Sequence, residues 1–119
     1  KDGGRVINIS TGLSRFSFPG YAAYASMKGA VEVFTRYLAK EVGTRGITAN
    51  VVAPGAIDND FNKYAFNANP EIKEMIAGQT ALGRVGVSED IGGVVTFLST
   101  EAARLITVQS IEASGGMFL

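Results

Sequence analysis

The chain has 119 residues, of which 46% are hydrophobic and 18% charged, with 11 basic and 11 acidic side chains and a formal net charge of zero. That length and composition fit one globular domain, and the charge balance leaves no basic surplus to recommend nucleic acid or an anionic membrane as a partner. With no Cys and no His in the sequence, disulfides, thiol nucleophiles, Cys/His zinc sites and a Ser-His-Asp triad are all excluded.

Residues 5–11 are a β-branched run behind the Gly3-Gly4 turn, and they break at Gly12. The pattern predicts a buried strand whose carboxyl end delivers the hydroxyls of Ser10 and Thr11. A loop of polar and aromatic residues follows as far as Pro19-Gly20. Residues 21–42 then carry the longest helical pattern, stopped by Gly43 and Gly46. Met27, Val31, Phe34 and Leu38 recur at i, i+4, i+7 and i+11 and are expected to form its buried stripe. Residues 47–53 predict a second buried strand, ended by Pro54-Gly55. Strand, helix and strand in this order make a βαβ unit with parallel strands, so a ligand is expected beyond their carboxyl ends.

From Ala56 to Gly83, asparagines and aspartates are interleaved with Phe61, Tyr64, Phe66 and Met75. Short helices near 60–66 and 70–78 are expected there, as a mobile lid over the carboxyl edge. Ser88 is the expected N-cap of a further helix, with Glu89 and Asp90 in its first turn and Ile91, Val94, Val95 and Leu98 on its buried face. A third strand at about 110–113 and a Gly115-Gly116 turn complete the pattern. No apolar run reaches the roughly 20 residues of a membrane span, and no apolar signal core opens the sequence, so the cytoplasm is the expected compartment.

The strongest chemical signal lies in the long helix. Tyr24 and Lys28 are four residues apart, so their side chains leave one face with Cβ atoms roughly 5–6 Å from each other. An ammonium beside a phenol favours transfer of the phenolic proton, and the pairing therefore suits acid/base chemistry. The plainer reading of the same spacing is a solvated surface pair.

Other segments join this pair in a recognisable series. Asn8 to Thr11 (N-I-S-T), Tyr24 to Lys28 (Y-A-S-M-K), Asn50 to Ile57 (N-V-V-A-P-G-A-I), Gly83 to Gly86 with Glu89 to Ile91, and Ser114 to Met117 (S-G-G-M) occur in that order. In order and spacing the sequence resembles the short-chain dehydrogenases/reductases along nearly its whole length. The resemblance implies an α/β fold, a three-layer doubly wound parallel sheet of Rossmann type. Only its second half is expected here: β-α-β, lid helices, α, β, with residues 1–119 as a single partial domain and the lid at about 56–83.

It further implies an oxidoreductase dependent on NAD or NADP that transfers hydride between the nicotinamide and a small alcohol or carbonyl compound. Tyr24 stands at the family's general acid/base. Lys28 stands at the residue that assists the phenol and holds the nicotinamide ribose. Thr11, thirteen positions before the Tyr, occupies the place of the family's serine, with Ser10 as the substitute if the strand ended in a different register. Pro54, Gly55 and Ile57 match the turn that receives the nicotinamide amide, and Asn59 stands where members often carry Thr. Asn50 reads instead as a buried amide bonding a neighbouring loop. A homo-dimer or homo-tetramer through the 21–42 helix is expected, using its small side of Ala22, Ala25, Ser26, Gly29 and Val33. Neither nucleic acid, membrane nor metal is implied. The family's Gly-rich dinucleotide loop is not found in this sequence, which keeps open a second reading, a truncated and catalytically silent interaction module.

Overall fold

The computed structural model describes residues 2–119. Its elements are β1 (Arg5–Ile9), α1 (Ala22–Val42), β2 (Thr48–Pro54), β3 (Ile57–Asp58), α2 (Asp60–Ala68), α3 (Pro70–Gly78), β4 (Gly86–Val87), α4 (Ser88–Leu98) and β5 (Ser110–Ala113). The main sheet has the order β1-β2-β5. Both pairings are parallel, running from Arg5↔Thr48 to Ile9↔Val52 and from Val51↔Ser110 to Pro54↔Ala113. Parallel neighbours need crossover connections, and α1 and α4 lie within them.

Side-chain alternation along β1 shows how the layers form. Asn8 faces α1, where its Nδ2 donates to Thr35 Oγ1 at 2.8 Å. Ile7 points to the opposite face and packs against the cluster of Val52, Leu98 and Ala103 under α4. The sheet is thus covered by α1 on one side and α4 on the other, a three-layer α/β arrangement. β2, in the middle, is buried along its length except at Pro54. β1 is only half-buried, in contrast to the expected buried strand, because it pairs with β2 alone among the described residues.

α1 forms where the pattern predicts, but it is rotated. Its buried residues are Thr35 and Ala39, whereas Met27 is 71% and Phe34 60% exposed. The expected apolar stripe sits roughly 100° round the helix from the face that meets the sheet, the turn of a single helical residue. The inward face is short and polar instead. Thr35 bonds Asn8 and its own Val31 carbonyl, and Glu32 reaches Ser10 and Ser110. Small side chains let the helix lie close to the sheet, and hydrogen bonds satisfy the polar groups that this buries.

The segment expected to form a lid holds two helices, α2 and α3, joined at Asn69-Pro70. Phe66 and Ile76 fasten it to Val85 and Met117, with Phe16, Ala56 and Phe118 packed around them. β3 and β4 make a separate parallel ribbon, Ile57↔Gly86 and Asp58↔Val87. Two-residue strands are too short to show in a periodicity, so the pattern did not reveal it. At α4 the cap differs from expectation. Ser88 is already helical and Val87 is the N-cap, its N–H bonded at 2.8 Å by the Asp90 carboxylate. Asn50 behaves as read: it is 1% exposed, donates from Nδ2 to Ile106 O at 2.9 Å and accepts Gln109 N–H at 3.0 Å. Among the described residues no helix is long and apolar enough to cross a membrane.

Candidate active site

The carboxyl ends of β1, β2 and β5 bring Ser10-Thr11, Pro54-Gly55 and Ser114 to one edge of the sheet, and the first two turns of α1 carry Tyr24 and Lys28. Lys28 Nζ donates to Ile9 O at 3.1 Å, which ties the ammonium to the end of β1. From there it lies 5.8 Å from the centroid of the Tyr24 ring, within the range of a cation–π contact. Tyr24 is half-exposed.

The two hydroxyls at the end of β1 are placed differently, as adjacent strand residues must be. Ser10 is buried against α1, with its Oγ 2.8 Å from Glu32 Oε2 and 3.1 Å from the Lys28 carbonyl. Glu32 Oε1 accepts from Ser110 Oγ at 3.0 Å, so one carboxylate ties together β1, α1 and β5. Thr11 Oγ1 accepts the Leu13 N–H at 3.3 Å and caps a 3₁₀ turn at Gly12–Ser14. Among the described residues no acceptor takes the Thr11 hydroxyl proton.

Gly55 is packed tightly: a Cβ there would stand 2.7 Å from Ser114 Cβ and 3.2 Å from Met117 Sδ. Ile57 is buried, and its carbonyl accepts from Asn62 Nδ2 at 2.8 Å. Asn59, expected beside the cofactor, caps α2 with its Oδ1, which accepts Asn62 N–H at 3.0 Å. The cap was readable in the sequence as an Asn before an acidic first turn.

Sequence reasoning missed a charged clamp over this edge. Arg15, in the loop after β1, donates from Nη2 to Glu112 Oε2 at 3.0 Å and from Nε to Oε1 at 2.5 Å, and also bonds the Met117 carbonyl. The Arg15 hydrogen bond holds the Glu112 carboxyl below its usual range, with a further contribution from Ser114. Between α3 and α4 Arg84 pairs with Asp90 at 2.8 and 3.1 Å. That hydrogen bond, joined by the Val87 N–H, lowers Asp90 to about 2. Cavities of about 150 and 310 Å³ lie in this lower region, the first lined by Ala56, Arg84, Asp90 and Ser114 among others, and the second by Asp58, Lys73 and Arg84 among others. Neither is lined by Thr11, Tyr24 or Lys28. Among the described residues no group of three or more His, Cys, Asp or Glu is placed to hold a metal ion.

A family model described as enoyl-(acyl carrier protein) reductase matches residues 1–118. The chain belongs to the short-chain dehydrogenase/reductase family. The 3-oxoacyl-acyl-carrier-protein reductase FabG of Pseudomonas aeruginosa is 41% identical over 116 residues, which is 98% of this chain and 46% of that protein. The reductase LugOII, described as catalysing keto-reduction at C1 during lugdunomycin biosynthesis, superposes with a TM-score of 0.90 at 47% identity over 99% of this chain and 46% of its own. The angucycline C-6 ketoreductase LanV, solved with bound NADP, has a TM-score of 0.90 at 41% identity over 98% of this chain and 44% of its own. The chain thus spans about half the length of these relatives. The short-chain dehydrogenase/reductase resemblance read from the ordered motifs is borne out, as is the second half of a Rossmann-type sheet.

Proposed function

We propose that these residues are the catalytic half of an NAD- or NADP-dependent carbonyl reductase, as one partial domain whose lid spans about 56–83. The observation that carries this reading is the Tyr24/Lys28 pair, one helical turn apart at the carboxyl edge of a parallel sheet, with the ammonium anchored on Ile9 O. The donor set suits a nicotinamide ribose. Lys28 commits one of its three ammonium protons to Ile9 O, which leaves two for a vicinal diol. Pro54, Gly55, Ile57 and Asn59 would border the nicotinamide ring. When bound, the cofactor supplies the hydride that reduces the carbonyl carbon.

The chain's own groups handle the proton. Tyr24 donates its phenolic proton to the carbonyl oxygen and recovers it in the oxidative direction. Thr11 steadies the same oxygen with a hydroxyl proton that no acceptor takes among the described residues, while Ser10 is committed to Glu32 and Lys28. The relatives, a 3-oxoacyl-acyl-carrier-protein reductase, a reductase for keto-reduction at C1 in lugdunomycin biosynthesis and an angucycline C-6 ketoreductase, favour an alcohol or carbonyl substrate here. The protein would work in the cytoplasm as a homo-dimer or homo-tetramer joined through α1.

The test is Tyr24→Phe in the full-length protein, followed by NADPH oxidation with carbonyl substrates. Turnover should fall by about 10² to 10⁴, the range for removal of a general acid, while NADPH binding persists. Lys28→Met should weaken both. A Tyr24→Phe enzyme with undiminished turnover would overturn the assignment.

A further inference from the structure

Aromatic side chains lead away from Tyr24 in an unbroken series. Tyr24 meets Tyr21 edge to face, with ring centroids 6.4 Å apart at 75°, and Tyr21 meets Phe18 at 5.9 Å and 68°. Phe18 stacks on Phe118 at 6.4 Å and 26°, and Phe118 meets Phe16 at 5.2 Å and 70°. Phe18, Tyr21 and Tyr24 all remain exposed. Such rings ordinarily serve a core by burying 150–250 Å² each, and these three touch their neighbours in the series while each stays more than a third exposed.

The wall is backed rather than loose. Phe118 N–H donates to Gln79 O at 2.9 Å, and Arg15 holds the carbonyls of Met117 and Phe118 while bonded to Glu112. The Arg15 guanidinium lies 5.0 Å from the Phe16 ring at the far end of the series, away from Tyr24. The charge beside the phenol is Lys28, 5.8 Å from the Tyr24 ring centroid, whereas among the described residues neither the Phe18 nor the Tyr21 ring has a cation over it.

The geometry points to Tyr21, backed by Phe18, as a specificity-determining residue for a carbonyl compound with a planar aromatic body, lying along the wall with its carbonyl at Tyr24. This rests on the proposed role of Tyr24. A flat ring gains edge-to-face and offset contacts from such a wall, whereas a saturated body of the same size gains only contact area.

Two ketones with one carbon skeleton separate these cases: 1-tetralone, whose second ring is aromatic, and 1-decalone, which is saturated. Reduction of both by the full-length protein with NADPH is compared with that by Tyr21→Leu, which keeps apolar bulk without a ring, and by Tyr21→Phe, which keeps the ring. The ratio of kcat/KM for tetralone over decalone should fall about five- to tenfold in Tyr21→Leu, chiefly through KM, and return towards the wild-type ratio in Tyr21→Phe. Comparing ratios removes the intrinsic reactivity of the two ketones. If both substrates turn over but Tyr21→Leu changes them alike, or changes neither, the wall is not a substrate surface, and the reductase reading stands. If the wild type reduces neither ketone nor any other carbonyl compound with NADH or NADPH, both fall together.

Discussion

At Val108 the backbone turns through φ 65°, a left-handed conformation in which a β-branched side chain crowds the neighbouring carbonyl. The strain is held in place by the surrounding loop. Val108 N–H donates to Ala49 O at 2.9 Å, and Thr107 Oγ1 accepts Ala49 N–H at 3.0 Å. Asn50 locks the same loop from both sides through Ile106 O and Gln109 N–H. Two predictions follow from opposite ends of this arrangement. Val108→Gly should raise stability by about 1 kcal/mol, since relief of left-handed strain, of order 1–3 kcal/mol, exceeds the entropic cost of glycine; a lowered urea midpoint would contradict it. Asn50→Leu should cost about 2–4 kcal/mol, because the part-buried Ile106 carbonyl and Gln109 N–H both lose their partner, and an unchanged urea midpoint would show that water replaces the amide. The role of Asn50 was legible, as a buried amide at the centre of a strand has little else to do. The strain at Val108 was not, because nothing in a valine marks a turn that glycine or asparagine usually fills.

The start of α4 shows how one carboxylate organises an element. Asp90 accepts from Val87 N–H and from both terminal nitrogens of Arg84, satisfying a free amide of the first turn and placing negative charge at the positive end of the helix. Its carboxyl is lowered from 3.8 to about 2, with the Arg84 hydrogen bond the largest cause. A group depressed in the folded state contributes its full stabilisation above the unfolded value, near 4, and loses it as pH falls towards 2. Asp90→Asn keeps an oxygen at the cap but not the charge. The stability difference between wild type and Asp90→Asn should therefore be constant above about pH 5 and shrink between pH 4 and 2, as followed by circular dichroism during acid unfolding. A difference that does not change over that window would remove Asp90 from the acid response. Element positions were largely legible here, while partners were not. The Tyr24/Lys28 pair could be read because its members are four residues apart, whereas Ser110 and Glu32 are separated by 78 positions and Arg15 and Glu112 by 97. The face of α1 was misread for a related reason. The most apolar stripe of a helix marks the surface that wants cover, and in α1 that surface is not the one against its own sheet.

At the scale of the whole molecule, α1 is the element with most left over. Met27, Phe34 and Tyr37 are exposed on one side, and Ala22, Ser26 and Val33 are exposed on the neighbouring small side. Contiguous apolar surface of this kind marks a contact with another body. Gly29 lies among the small residues, and a Cβ placed there meets nothing within 4 Å. Nothing in this chain's own packing therefore requires glycine at 29, although an interior helical glycine costs roughly 1 kcal/mol against alanine. A second copy of α1 packed about a two-fold axis would require it, because the closest approach of two helices leaves no room for side chains at the crossing. This makes Gly29→Leu a clean test. Within one subunit the leucine meets open space and improves helix propensity, so thermal stability of the separated subunit should hold or rise by up to about 1 kcal/mol. Across the proposed interface the same side chain holds the helices apart, and sedimentation of the full-length protein should show the oligomer replaced by its smaller unit. Phe34→Lys, on the adjoining apolar side, should dissociate it as well by burying a charge without a partner. An oligomer of unchanged mass in both variants, or a wild type that sediments as a single subunit, would mean that α1 is covered by some other surface.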